Sequence, residues 1–274
     1  MPLVSTSNIL ETQNCVLALN VVTLEHAEAF VSASQITGTG LVLQLSENAV
    51  KYHGSLAPLG SALLQIAAAS ATPIAVHLDH ATNRELVTEA VRLGFTSLMF
   101  DGSNLDFEQN VSETRAVVEQ GHANGVWVEA EIGEIGGKDG VHAPGVKTSV
   151  EDAVSFQRET GVDGLAIAVG SSHAMVEKQA NLDLQRISEI AAQVPVPLVL
   201  HGSSGVPREQ LVAAVEAGIR KINISTELNK TFTESIRRSL SSDSAMVDPR
   251  KYLGQSRAEL EAHVVDYLLL LCIR

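Results

Sequence analysis

Short apolar runs rich in β-branched residues recur along the chain, and stretches of helical periodicity separate them. Near-continuous apolar runs of this length are typical of parallel strands that are buried on both faces. We predict eight strands, at Val16–Val22, Leu41–Ser46, Pro73–His80, Ser97–Ser103, Val126–Gly133, Gly164–Gly170, Pro197–Gly202 and Lys221–Thr226. Because strand and helix alternate throughout and no low-complexity linker intervenes, we expect residues 1–274 to form one α/β domain, a (β/α)8 (TIM) barrel with a C-terminal helical extension.

Apolar positions between the predicted strands recur at helical spacing. One such stripe consists of Leu86, Ala90, Val91 and Leu93. Thr82 followed by Glu85 resembles a capping box, which predicts that this helix begins directly after the third strand. A further apolar stripe in residues 251–274 predicts a terminal helix.

A polar or titratable side chain lies at or near the carboxyl end of every predicted strand. In chain order these residues are Asn20, Ser46, Asp79 with His80, Asp101, Glu131, His173, His201 and Asn223. Packing gives a buried apolar strand no reason to end in a carboxylate or an imidazole. Active sites of (β/α)8 barrels lie at the carboxyl ends of the strands, so this ring of residues predicts an enzyme.

Three of these strand-end residues are candidate metal ligands, namely His80, His173 and His201. Neutral imidazole suits Zn²⁺, and three protein ligands leave one position open for a substrate. A structural role is the alternative for any one of them. His77 either packs in the interior or supports His80, and we interpret His26 as a surface or loop residue.

The carboxylates at the strand ends have two possible roles each. Asp79, next to a cation, would stay ionised and could exchange a proton with a substrate hydroxyl or aldehyde oxygen. Its alternative is to cap the helix that begins near Thr82. Asp101 and Glu131 would repel each other at one barrel mouth unless they were metal-bound, protonated or well solvated. A second or alternate cation site is one explanation, and helix capping by Asp101 is the alternative.

Glycine and serine clusters follow the last strands. Gly202–Gly205 comes after the seventh strand, and Asn223–Thr226 closes the eighth. The loops after strands 7 and 8 are the usual phosphate site of this fold. The candidate phosphate-binding residues here are Gly202, Ser203, Ser204, Asn223, Ile224, Ser225 and Thr226. The glycine-rich residues 133–140 predict a loop that closes over the mouth and delivers Asp139, with an ordinary exposed loop as the alternative.

Composition narrows the class of partner. The formal net charge of −13 argues against nucleic acid and anionic membranes as partners, so an anionic substrate must be held by a locally built site. Cys15 and Cys272 provide no disulfide framework and are expected to be reduced packing residues of a cytoplasmic protein. No apolar run is long enough to span a bilayer, and the amino terminus does not resemble a signal peptide.

Six motifs in order resemble those of the class II, metal-dependent ketose-bisphosphate aldolases, over nearly the whole chain. They are Val76–His80, Phe100–Ser103, Val128–Gly133, Val169–His173, Leu200–Gly202 and Lys221–Ile224, and Asp248–Leu253 resembles the family's C-terminal segment. The resemblance implies cleavage or formation of a phosphorylated ketose, such as fructose- or tagatose-1,6-bisphosphate. The products of cleavage would be dihydroxyacetone phosphate and an aldehyde.

The resemblance also implies roles for individual residues. His80, His173 and His201 would hold one catalytic Zn²⁺, and Asp101 with Glu131 would match an alternate site, for a second divalent or a monovalent cation. Catalytic roles would belong to Asp79 (at the C4 oxygen), Asp139 and Asn223. The substrate and its phosphates would contact Asn20, Ser46, Ala174, residues 202–204 and residues 223–226. Arg250 would contact the second phosphate of the substrate bound in a neighbouring subunit. This contact implies a homodimer or homotetramer.

Departures from the family pattern leave the substrate open. Lys138 and Asp139 stand where the family carries a loop glutamate, and Ala174 and Val176 replace its usual glycine and tyrosine. Ser225 replaces an aspartate of the longer fructose-bisphosphate subgroup. The changes at positions 139, 174 and 176 motivate the alternative of a family member with altered or lost catalysis, which acts on a different phosphorylated ligand or as a binding protein. A zinc hydrolase on the same barrel is a further alternative, but it has no need for paired phosphate loops.

Overall fold

The strands of this computed structural model, which describes residues 2–132, 147–172 and 178–273, form a closed barrel. They are β1 Val16–Asn20, β2 Leu41–Ser46, β3 Ile74–Ala81, β4 Ser97–Phe100, β5 Trp127–Ile132, β6 Gly164–Ile167, β7 Leu198–Leu200 and β8 Ile219–Ile224. Each strand pairs in parallel with the next, and β1 also pairs with β8. The predicted (β/α)8 fold is therefore confirmed.

Helices connect the strands and surround the barrel. They are α1 Thr6–Leu10, α2 Leu24–Thr37, α3 Glu47–His53, α4 Ala57–Ala69, α5 Arg84–Leu93, α6 Phe107–His122, α7 Val150–Thr160, α8 Leu184–Ala191, α9 Arg208–Ala217, α10 Thr226–Ser242 and α11 Pro249–Leu271, with a 3-10 turn at Ser203–Gly205. The predicted terminal helix is α11, which packs against α2 and α10. No helix among the residues described is long and apolar enough to cross a membrane.

Several predicted boundaries were wrong. β8 begins two residues earlier than expected because Ile219 directly follows Gly218, the residue that ends α9, so Lys221 lies inside the strand. The capping box at Thr82 does not form. Instead Asn83 caps α5 by accepting a hydrogen bond from the Glu85 amide at 2.7 Å.

The interior of the barrel changes from apolar to polar along its axis. Near the amino ends of the strands, apolar inward-facing side chains pack against Ile9 of α1; they are Val16, Ala18, Val42 and Ala75. Nearer the carboxyl ends, Gln44, His77, Glu129 and Lys221 are all fully buried. The fold thus places a buried polar layer directly beneath the barrel mouth.

His26 corrects another interpretation, because it is a buried residue of α2 and not a surface residue. Its ring lies between Phe30 and Phe232, with centroid distances of 6.0 and 4.5 Å. Burial lowers the pKa of His26 to about 4, and the charge of Glu25 opposes this shift.

Candidate active site at the barrel mouth

Two of the three predicted ligand histidines meet at the carboxyl ends of the strands. His80 Nε2 and His201 Nδ1 are 3.0 Å apart. Asp79, His80 and His201 each present a ligand atom within 4.8 Å of the others, and His80, Asp101 and Glu131 form a second such group. His173, Ala174 and Asp139 lie outside the described residues. The structure therefore brings together five of the predicted metal-site and proton-transfer residues.

A bulge in β3 allows Asp79 and His80 to face the same cavity. Consecutive residues of a regular strand point to opposite faces of the sheet. Here the register between β3 and β4 shifts between Leu78 and Ala81, and His80 has a φ of +51°. Such a conformation costs a non-glycine residue about 1–3 kcal/mol and is concentrated at functional sites.

Asp101 orients the ring of His80. Its Oδ2 lies 2.8 Å from His80 Nδ1, so Nδ1–H donates and Nε2 presents its lone pair to the site. Asp101 Oδ1 accepts hydrogen bonds from the amide and hydroxyl of Ser103 at 3.2 and 2.6 Å. The capping alternative for Asp101 is wrong, because Asp106 caps α6.

Asp79 is held by a chain of amides from neighbouring strands. Asn20 Nδ2 donates to Asp79 Oδ2 at 2.9 Å, and Gln44 Nε2 donates to Asn20 Oδ1 at 2.7 Å. Burial alone would raise the pKa of Asp79, but His80 and His201 in their protonated forms, Lys221 and the Asn20 hydrogen bond together bring the pKa below its ordinary value. Because Asn83 is the cap of α5, the capping alternative for Asp79 is wrong.

The predicted phosphate-binding residues adjoin this cluster. One cavity is lined by Asn20, Gln44, Ser46, Asn48, Asp79, His80, Ser172, His201, Gly202, Ser203, Ser204, Asn223, Ser225 and Thr226. Backbone N–H groups at the start of α10, which begins at Thr226, suit an anion. Ile224 packs its side chain into the apolar core, which leaves only its backbone to contact a ligand.

Gly202 allows the loops after β6 and β7 to approach each other. Its φ is +65°, and a Cβ atom at this position would lie 2.6 Å from the carbonyl carbon of Ser172. That distance is far below van der Waals contact, so only glycine fits. Asn48 and Gln44 line the cavity without having been predicted as site residues.

Arg250 does not reach this cavity within its own chain. Its side chain is 89% exposed and pairs with Asp248, with Nη2 and Oδ2 2.8 Å apart. A contact with the site of a neighbouring subunit stays a prediction.

Glu129 and Lys221 were missed by the sequence analysis. Lys221 Nζ lies 2.8 Å from Glu129 Oε2, and Glu129 Oε1 lies 2.8 Å from His201 Nε2. Strand periodicity could have found them, because Glu129 shares a strand face with Glu131, and Lys221 shares one with Asn223. His77 was left open, and it packs inside the barrel with Nδ1 2.5 Å from Ser97 Oγ.

Comparisons with known proteins agree with this geometry. The family model for fructose-bisphosphate aldolase class-II matches residues 6–272. A fructose-bisphosphate aldolase of Thermus caldophilus is 39% identical over 267 residues (88% of this chain, 87% of the relative), and a probable fructose-bisphosphate aldolase of Bacillus subtilis is 35% identical over 274 residues (97% and 96%). The solved YdjI aldolase of Escherichia coli K12 superposes with a TM-score of 0.84 at 25% identity, covering 97% of this chain and 94% of that one. The chain therefore belongs to the class II fructose-bisphosphate aldolase family, as a metal-dependent lyase that performs aldol cleavage on a phosphorylated sugar.

Proposed function

We propose that this aldolase cleaves a ketose bisphosphate of the fructose or tagatose type between C3 and C4. The products are dihydroxyacetone phosphate and an aldehyde, and one Zn²⁺ is held by His80, His173 and His201. The observation that carries the proposal is the convergence of His80 Nε2, His201 Nδ1 and the Asp79 carboxylate beside a cavity lined by the loops after β7 and β8.

The described ligand residues fit a divalent cation. His80 Nε2 and His201 Nδ1 face each other at 3.0 Å, and each ring has its other nitrogen beside a carboxylate. Two lone pairs at this distance repel unless a cation or a proton lies close to both. Asp79 Oδ1, 3.9 Å from His80 Nε2, has no hydrogen-bond partner within the described part of the chain. A bound divalent cation would polarise the ketose carbonyl and stabilise the negative charge that develops there.

Asp79 is suited to move the proton at the C4 oxygen. The positive charges of Lys221 and of a bound cation would keep it a carboxylate before substrate binds, so it can accept the C4 hydroxyl proton as the C3–C4 bond breaks. Asn20 holds one carboxylate oxygen and leaves the other toward the cavity. We assign the proton transfer at C3 to Asp139, in keeping with the family resemblance, and the second cation site to Asp101 and Glu131.

The phosphate next to C1 is assigned to the loops after β7 and β8. Gly202, Ser203 and Ser204 offer backbone and hydroxyl groups on one side of the cavity, and residues 223–226 offer them on the other. Ala174, which follows His173 in the sequence, is assigned to the same phosphate site. Arg250 is assigned to the second phosphate of a neighbouring protomer. The corresponding assembly is a homodimer or homotetramer, which sedimentation of the purified protein tests. We assign the protein to the cytoplasm.

The departures at Asp139, Ala174 and Val176 support a second candidate, a family member with altered catalysis that binds a different phosphorylated ligand. A panel of ketose mono- and bisphosphates separates the two candidates. Release of dihydroxyacetone phosphate is measured with metal-loaded protein, with and without chelator.

We expect cleavage of at least one ketose bisphosphate and its loss with chelator. His201→Ala should abolish cleavage, whereas the matched control His53→Ala, whose ring contacts the Val22 carbonyl, should not. Asp79→Asn should lower kcat by about 10²–10⁴-fold, because the proton acceptor at C4 is removed. Metal-loaded protein that cleaves no member of the panel would favour the altered-function candidate.

A further inference from the structure

A chain of buried charged groups lies beneath His201. Lys221 Nζ donates to Glu129 Oε2 and to Asn223 Oδ1, both at 2.8 Å. Glu129 Oε1 lies 2.8 Å from His201 Nε2. The side chains of Glu129, Lys221 and His201 are all fully buried. Such buried ions are costly unless they are paired, and this pair makes contact with a candidate metal ligand.

Two neighbours compete for the same nitrogen of His201. Glu129 can only accept a hydrogen bond from Nε2 at 2.8 Å, whereas the Asn223 amide nitrogen, 3.2 Å away, can only donate one. Because Lys221 donates to Asn223 Oδ1, the amide of Asn223 is turned so that Nδ2 faces the ring. The neutral imidazole carries one proton, so its tautomer depends on which neighbour prevails.

The tautomer decides whether His201 can bind a cation. If Nε2 carries the proton, it donates to Glu129, and Nδ1 presents its lone pair toward His80 Nε2. If Nδ1 carries the proton, Nε2 accepts from Asn223, and an N–H group occupies the direction of the metal. A hydrogen bond to a carboxylate is roughly twice as strong as one between neutral groups. Glu129 is also the closer neighbour. A cation between the rings removes the repulsion between the lone pairs of Nδ1 and His80 Nε2, so the first arrangement prevails when the metal is bound.

We propose that Glu129, held in place by Lys221, is a positioning residue that selects the metal-binding tautomer of His201. The proposal rests on the metal site of the proposed function and adds residues that the ligand set does not include. Outer partners of ligand histidines change metal affinity by about 10–100-fold when they are removed. Glu129 therefore contributes to metal binding without touching the cation.

Glu129→Gln is the most direct test, because it keeps the side-chain shape but reverses the hydrogen-bond pattern. The Lys221 ammonium takes the new amide oxygen, so the amide NH2 group faces His201 Nε2 and favours the opposite tautomer. We expect Zn²⁺ affinity, measured by chelator competition, to fall about 10–100-fold. Ring-nitrogen NMR of Zn²⁺-loaded, histidine-labelled protein should show the His201 proton on Nε2, with His201→Gln assigning the signal.

Glu227→Gln is the matched control. It makes the same change at a partly buried carboxylate of α10 whose oxygens bond Lys178 and Tyr267. It should leave Zn²⁺ affinity and the His201 tautomer unchanged. Glu129→Asp retains a carboxylate and should restore the Nε2–H tautomer.

Two results would overturn the proposal. One is Zn²⁺ affinity in Glu129→Gln equal to that of the unmodified protein. The other is an unmodified, Zn²⁺-loaded protein whose His201 proton lies on Nδ1, a measurement that does not depend on any variant folding. A metal-loaded protein that cleaves no sugar phosphate counts against the proposed substrate instead, and affinity and tautomer still decide the role of Glu129.

Discussion

Replacing Lys221 with methionine removes a positive charge from the middle of the barrel while keeping a side chain of similar length. In the folded protein Lys221 contacts Glu129 Oε2 and Asn223 Oδ1, each at 2.8 Å. Both Lys221 and Glu129 are 0% exposed, so water cannot replace the lost ammonium group. The variant therefore leaves a carboxylate buried and without its counter-ion.

The expected cost is large for a single substitution. Removal of one partner of a buried ion pair destabilises a protein by about 3–5 kcal/mol. The entropy of unfolding is about 2.1 cal/mol/K per residue, or roughly 0.6 kcal/mol/K for 274 residues. The unfolding midpoint should therefore fall by about 5–9 °C.

Thermal unfolding in the presence of chelator measures this effect without a contribution from bound metal. Lys51→Met is the matched control, because Lys51 is 68% exposed in its pair with Glu47 and should cost less than about 1 kcal/mol. The double variant Lys221→Met/Glu129→Gln should recover much of the loss, since it removes both charges. A Lys221→Met protein as stable as Lys51→Met would refute this account of the buried pair.

Two further predictions concern pH and a glycine. The pKa of His26 is about 4 in the folded protein and 6.5 in the unfolded chain, so on acidification the unfolded chain binds the proton first. Stability conferred by neutral His26 is complete above pH 6.5 and is lost as the pH falls toward 4, by about 3 kcal/mol; His26→Leu should flatten this part of the profile in urea unfolding. Gly202→Ala should lower kcat/KM for a phosphorylated ketose about 10-fold or more, because the new Cβ would meet Ser172 at 2.6 Å. Gly54→Ala, with a φ of +79° and nothing within 4 Å, should leave kcat/KM unchanged, and equal losses in both variants would contradict the role of close approach.

Local patterns in the sequence were sufficient to predict the barrel. Near-continuous apolar runs such as Leu41–Ser46 can be satisfied only in a strand covered on both faces, and β2 has the predicted bounds. The clustering of polar residues from the strand ends could also be predicted, because the parallel strands of a barrel bring their carboxyl ends to one mouth. Asp79, His80 and His201 were predicted on that ground and do converge.

The tertiary structure decided how those residues work together. The bulge that turns both Asp79 and His80 into one cavity depends on the β3–β4 register, which neither strand specifies alone. Glu129 and Lys221 are 92 positions apart, and they meet only because the closed barrel points alternate residues of β5 and β8 inward. Side-chain periodicity depends only on neighbouring residues, so the sequence alone determines it. Charge pairing and tautomer choice depend on distances between side chains that are set only when the barrel closes.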